Sequence, residues 1–292
     1  MEKLNVLITN SMPFLGGAEL WAWKLGRGLL ARGHEVTFAV RSQSALAQLL
    51  RRKKFAAHEF PMRGDAEPYS LLSMVRLTRA LEIDIILSTC ERDFRLAGLA
   101  TKLGGQGSVI PRLRSVWPHR SAAAVSEGRR GRWSKTLRFH RRRFNYNFFA
   151  SKIITNSAGG KRDLVEGGWA KDNSVEVVYN GIDLSIFDPA GVRRGTIKRQ
   201  FGIPPEAIVV TQVARIAAEK GQILLVDAAE QLLKDYPHTY FLIVGTPTSE
   251  SYHEELMRRV RSCPHDGHIL IVGFVDEVER VLADTDILAL PS

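Results

Sequence analysis

Short apolar runs, glycine-bearing turns and helix-period patterns alternate down the whole chain, and this repeat limits the possible folds more than any other feature. Leu4–Thr9 is the first such run. The loop Asn10–Gly17 follows, and Ala18, Ala22, Leu25 and Leu29 then fall on one helical face. Gly33 closes that helix, and Glu35–Val40 reads as a second strand. Strand, glycine turn, helix, strand is the opening of a doubly wound α/β domain. Further strands are expected at Ile83–Ser88, Ser108–Leu113 and Lys152–Thr155.

The pattern then starts again. Val175–Tyr179 reads as a strand and Asn180–Asp183 as a turn, and a polar stretch with Pro189, Gly191 and Gly195 reads as interdomain. Ile208–Val213 is the next strand. Ile223–Lys234 is a helix with Leu225, Ala228 and Leu232 aligned and Pro237 as its stop. Strands at Tyr240–Val244, His268–Val272 and Asp286–Leu290, with a short helix at Val278–Leu282, complete the series. Two α/β units fit better than one large sheet, and 292 residues suffice for two cores. The expected domains are residues 1–183 and 184–292. The chain closes on a strand with no helix to cover it, so a fragment with an incomplete second domain is expected.

Hydrophobic residues at 45% and charged residues at 25% exclude a disordered chain. No apolar run approaches the ~20 residues that cross a bilayer, and the N-terminus lacks the apolar core of a secretory leader. Cys90 and Cys263 match no metal or redox spacing, so a cytoplasmic chain with free thiols is the expectation. The net charge of +10 is uneven. Residues 1–150 hold 26 Lys and Arg against 11 Asp and Glu, a balance of +15, and residues 151–292 hold 15 against 20, a balance of −5. A basic half seeks an anionic surface, lipid or nucleic acid. No nucleic-acid motif or repeat is present, so nucleic acid is not expected as a partner. Within that half, Trp133, Leu137, Phe144 and Phe148 share one face of a helical pattern ringed by Arg130, Arg138, Arg141 and Arg142. Two readings stand. The helix lies in an anionic membrane surface through Arg138, Arg141, Arg142 and Arg143, or its stripe packs on the core beneath a solvated basic rim.

The loop between Ile208–Val213 and the following helix carries Arg215 and Lys220. Cations between a strand end and a helix start can neutralise a diphosphate while helix N-terminal amides bind its oxygens. An ordinary exposed loop is the alternative. Gly16 and Gly17 supply a tight turn or a close backbone approach to a ligand. They form no dinucleotide fingerprint, because no G-x-G-x-x-G occurs and the second strand ends in Val40-Arg41 where a ribose-binding acid would stand.

Six motifs in order carry a family resemblance. Gly16-Gly17-Ala18-Glu19, with Arg32–Thr37 ahead of the second strand, resembles the opening of glycosyltransferase family 4. Val178-Tyr179-Asn180-Gly181-Ile182-Asp183 resembles its V-x-N-G-[IV]-D block, and Val213–Gly221 its G-R-L-x-x-x-K-G donor loop, with Ala214 replacing the usual first glycine. Leu242–Gly245, Ile271–Val275 and Asp286–Ser292 resemble three further blocks.

The resemblance implies a GT-B fold, two Rossmann-like domains facing across a cleft, with the acceptor bound by the first and the nucleotide sugar by the second. It implies retaining transfer with neither metal nor cofactor, to a glycan or lipid-linked acceptor at the cytoplasmic membrane face. Donor contacts would fall on Gly17, Arg215, Lys220, Gly245, Phe274 and Val275, and Gly16 would border the acceptor side. His119 would lie near the transferred sugar, a place Arg114 could take instead. The family's pair of glutamates, eight positions apart and expected after Ser292, is absent from the sequence. A truncated homologue that binds without catalysing is therefore the alternative function.

Overall fold

The computed structural model describes residues 2–64, 67–113, 144–188 and 190–291. The chain divides into two compact units, Met1–Asn180 and Gly181–Ser292. In the first, β1 (Asn5–Asn10), α1 (Gly17–Leu30), β2 (Glu35–Arg41), α2 (Ala45–Arg52), β3 (Ala57–Phe60), α3 (Pro68–Ala80), β4 (Ile85–Ser88), α4 (Glu91–Lys102) and β5 (Ser108–Leu113) alternate. Helical residues 144–149 (α5) follow, then β6 (Ile153–Thr155), α6 (Ala158–Glu166) and β7 (Val175–Val177). The strands form one parallel sheet in the order β3-β2-β1-β4-β5-β6-β7. The expected doubly wound topology is present.

A parallel sheet is buried on both faces, so its strands read as unbroken apolar runs. Along β1 the period of two sorts the side chains. Val6 and Ile8 pack with Phe38, Leu46 and Leu50, whereas Leu7 packs with Ile86, Phe94 and Met74 on the other side. Gly26 lets α1 approach β2, because a Cβ there would lie 2.6 Å from the Phe38 ring. The helix ends at Leu30, and Gly33 beyond it takes the left-handed φ of +87° that the turn into β2 needs. The sequence gives little sign of β3, an edge strand with the polar pair His58 and Glu59 at its centre.

The second unit repeats the winding on a smaller scale. α7 (Thr196–Gln200), β8 (Ile208–Val213), α8 (Gln222–Leu232), β9 (Thr239–Val244), α9 (Glu250–Arg261), β10 (Ile269–Gly273), α10 (Val278–Ala283) and β11 (Ile287–Leu288) give a parallel sheet in the order β10-β9-β8-β11. Val210, Phe241 and Ile243 pack under α8 and α9, and Val209, Leu242 and Val244 pack with Ile197 and Val281 of α7 and α10. β11 forms the sheet edge with Ile287 and Leu288 exposed. In both units the strand order reverses beside the first strand, between β1 and β4 and between β8 and β11. The carboxyl ends of the strands at such a reversal are where open α/β sheets bind ligands.

Candidate functional site

In the second unit that edge is built around the loop leaving β8. Ala214 donates its N–H to the Val244 carbonyl (2.9 Å) and Ile216 to that of Thr246 (2.9 Å), so the loop keeps the sheet's direction past the strand end. A 3-10 turn at Ala218–Lys220 leads to Gly221, whose φ of +68° delivers the chain into α8. A Cβ on Gly221 would stand 3.3 Å from the Pro291 carbonyl, which brings the segment after β11 against this turn. Arg215 is exposed, and its Nη2 lies 3.2 Å from Glu219 Oε1. Lys220, half-buried, ends the 3-10 turn just before the amino end of α8.

Two fully buried glutamines hold this loop from beneath. Gln212 on β8 donates from Nε2 to the Lys220 carbonyl at 2.6 Å. Gln222, first residue of α8, donates from Nε2 to the Arg215 carbonyl at 2.9 Å and accepts from the Ala217 N–H at 3.3 Å. Sequence reasoning passed over both. The available signal was a glutamine inside one apolar run, Ile208–Val213, and another at the head of the next, Ile223–Val226, where only a satisfied amide is tolerated once buried.

The neighbouring strand ends complete the edge. Gly245 after β9 donates to the Gly273 carbonyl (2.8 Å) and has φ +152°. Its backbone lies so near β8 that a Cβ would fall 1.8 Å from the Ala214 oxygen, so glycine is needed there for the sheet itself. Phe274 after β10 is 71% exposed, whereas Val275 is half-buried against the cluster of Ile197, Leu242 and Val281. Arg215, Gly245, Phe274 and Val275 therefore share one sheet edge.

In the first unit, Gly16 caps α1 and gives its N–H to Glu19 Oε2 (2.9 Å), while Gly17 is exposed with open space where a side chain would stand. Buried Glu19 accepts from Asn10 Nδ2 (2.9 Å), and the same amide donates to Thr89 Oγ1 (2.8 Å). Asp93 is fully buried beside them. It accepts from Thr9 Oγ1 (2.8 Å), Ser11 Oγ (3.3 Å), the Thr89 N–H (3.0 Å) and the Cys90 thiol. Burial raises its carboxyl pKa, and the hydrogen bonds from Cys90, Thr9 and the amides offset part of that rise. Burial, and then the Asp93 charge, push Cys90 up to about 12, so it stays a neutral thiol and a poor nucleophile. The network ties the ends of β1 and β4 to the starts of α1 and α4, and its members lie too far apart in sequence to be paired by pattern.

His119 and its alternative Arg114 lie outside the described residues, as do Arg138, Arg141, Arg142 and Arg143. The described end of the basic segment exposes Phe144 and Phe148, whose rings stack at 5.0 Å, with Lys102 Nζ 4.8 Å from the Phe148 centroid. Among the described residues no helix is long and apolar enough to cross a membrane.

Residues 15–186 match the family model of Glycosyltransferase Family 4, and residues 193–292 that of Glycosyl transferases group 1. The chain belongs to glycosyltransferase family 4. Among curated relatives, it is 29% identical over 153 residues to a D-inositol 3-phosphate glycosyltransferase of Kineococcus radiotolerans, covering 49% of this chain and 34% of that protein. It is 22% identical over 235 residues to the UDP-Gal:alpha-D-GlcNAc-diphosphoundecaprenol alpha-1,3-galactosyltransferase of Escherichia coli, covering 76% of this chain and 55% of that one. The matches thus span about a third to just over half of these relatives' length. Among solved structures, HepE of Anabaena, crystallised with UDP and glucose, superposes with a TM-score of 0.78 at 19% identity, covering 99% of this chain and 74% of HepE. That likeness shows the fold, GT-B with two Rossmann-like units.

Proposed function

We propose that the protein transfers a sugar, with retention, from a nucleotide-sugar donor to an acceptor hydroxyl, and that the donor diphosphate seats on the Arg215–Gly221 loop. The observation that carries this reading is the placement of Arg215 and Lys220 between the end of β8 and the amino end of α8, beside the strand-order reversal. As the bond from the sugar's anomeric carbon to phosphate oxygen breaks, negative charge builds on the diphosphate. Fixed cations and helix amides lower that barrier. The acceptor oxygen bonds to the anomeric carbon, and its proton passes to the departing phosphate oxygen, so the reading requires no protein nucleophile. Glu219 is a weak competitor for Arg215, because an exposed ion pair is held by only about 0.2–1 kcal/mol. UDP in the HepE crystals supports a nucleotide-sugar donor. The diphosphoundecaprenol named for the Escherichia coli relative supports a lipid-linked acceptor, reached from an anionic membrane surface through Phe144, Phe148 and the basic segment before them.

The test is substitution in the enzyme expressed from its complete gene. Arg215→Ala or Lys220→Ala should each lower kcat by about 100-fold, as the loss of one transition-state charge contact does. Wild-type turnover in both variants would reject the loop as the diphosphate site. Diphosphate binding without any transfer would favour a binding protein.

A further inference from the structure

Arg215 and Lys220 can act on a diphosphate only if their backbone is fixed, and each has its carbonyl held by a different buried glutamine. Gln222 Nε2 reaches the Arg215 carbonyl at 2.9 Å, and Gln212 Nε2 reaches that of Lys220 at 2.6 Å. Both side chains are fully buried, on the face where Val210, Leu225 and Val226 form the core. Such positions ordinarily hold apolar residues, since a buried amide is costly unless its bonds are made. Gln222 makes them, because its Oε1 also accepts from the Ala217 N–H and from the Tyr252 hydroxyl at 3.4 Å. Gln212 does so only in part. Its Oε1 is buried with no partner among the described residues, so stability alone does not account for it.

We infer that Gln212 and Gln222 are positioning residues that lock the loop backbone so that Arg215 and Lys220 meet the diphosphate without reorganisation. The inference rests on the proposed reading of this loop as the diphosphate site. A carbonyl bound from below cannot rotate toward solvent. The peptide planes of the two cationic residues, and the direction in which their side chains leave the backbone, are then set before any ligand arrives. Preorganised charge needs no rearrangement as the leaving group develops, which is the condition for full electrostatic stabilisation.

Gln212→Met and Gln222→Met keep the length of the side chain and remove its hydrogen bonds. The probes are UDP and uridine, each titrated calorimetrically into the full protein, with thermal melting recorded alongside. UDP affinity should fall about tenfold in either variant while uridine affinity stays at the wild-type value. In an Arg215→Ala, Lys220→Ala background the methionine substitutions should weaken UDP no further, since the groups they position are gone. Parallel loss of UDP and uridine binding would reduce both glutamines to core packing and overturn the inference. So would wild-type UDP binding in the methionine variants when Arg215→Ala and Lys220→Ala do weaken it. If Arg215→Ala and Lys220→Ala leave UDP binding untouched, the diphosphate reading itself fails and the inference goes with it. Should neither methionine variant fold, Gln222→Glu supplies the same comparison, because it keeps the acceptor for Ala217 and replaces donation to the Arg215 carbonyl with repulsion.

Discussion

Replacing Gly245 by alanine puts a methyl group where the Ala214 carbonyl already lies. The added Cβ would stand 1.8 Å from that oxygen and 2.8 Å from its carbon, and real Cβ contacts essentially never fall under 3.0 Å. The ends of β8 and β9 must therefore part by at least 3.0 − 1.8 = 1.2 Å, with backbone rather than a flexible side chain giving way. That movement breaks the Ala214 N–H bond to the Val244 carbonyl, now 2.9 Å, a loss of about 1 kcal/mol. The φ of +152° is a second burden, because holding a residue with a Cβ there costs about 1–3 kcal/mol. Together the two terms make about 3 kcal/mol, roughly a hundredfold in a local opening equilibrium. Hydrogen exchange read by mass spectrometry should show that loss of protection in β8 and β9, with β1 and β4 unchanged. UDP affinity should fall with it, since Arg215 directly follows the displaced Ala214. Wild-type protection in β8 and β9 together with undiminished UDP binding would refute the reasoning.

Asp93 sets a pH dependence of stability. Its folded-state pKa lies above the unfolded value, chiefly because of burial. The folded chain then holds the proton more tightly, so this group's contribution is intact below the unfolded value of about 4 and is lost as pH rises toward the folded value. Asp93→Asn removes the ionisation, and the melting temperature of the variant relative to wild type should climb from about pH 4 upward. Parallel profiles would contradict the assignment. Changing Arg138, Arg141, Arg142 and Arg143 together to Ser should release the protein from vesicles containing phosphatidylserine. At about 1 kcal/mol per cation near an anionic surface, the loss is roughly a thousandfold in binding, and high salt should mimic it. Flotation unchanged by either treatment would leave the basic rim as a solvated surface.

Much of the architecture was legible because a parallel sheet buried on both faces writes itself as apolar runs. Leu4–Thr9, Ile208–Val213 and Tyr240–Val244 fall on β1, β8 and β9 to within a residue. Arg215 and Gly245 could be set at strand ends for the same reason, since the runs stop just before them, and Lys220 could be set between such a run and the next helix. β3 escaped because an edge strand has less to bury, and Val175–Tyr179 ran too long, with β7 ending at Val177 and Tyr179 exposed.

Sequence alone determined the two doubly wound units, their order and the loops that end their strands, because each of these depends on local period and on turn chemistry. Tertiary structure decided what holds those loops. That Gln212 would reach Lys220, Gln222 the Arg215 carbonyl, and Asp93 both Thr9 and Thr89 depends on the register and spacing of packed elements. A buried polar side chain takes whichever partner the fold brings within about 3 Å. No pattern along the chain records that distance.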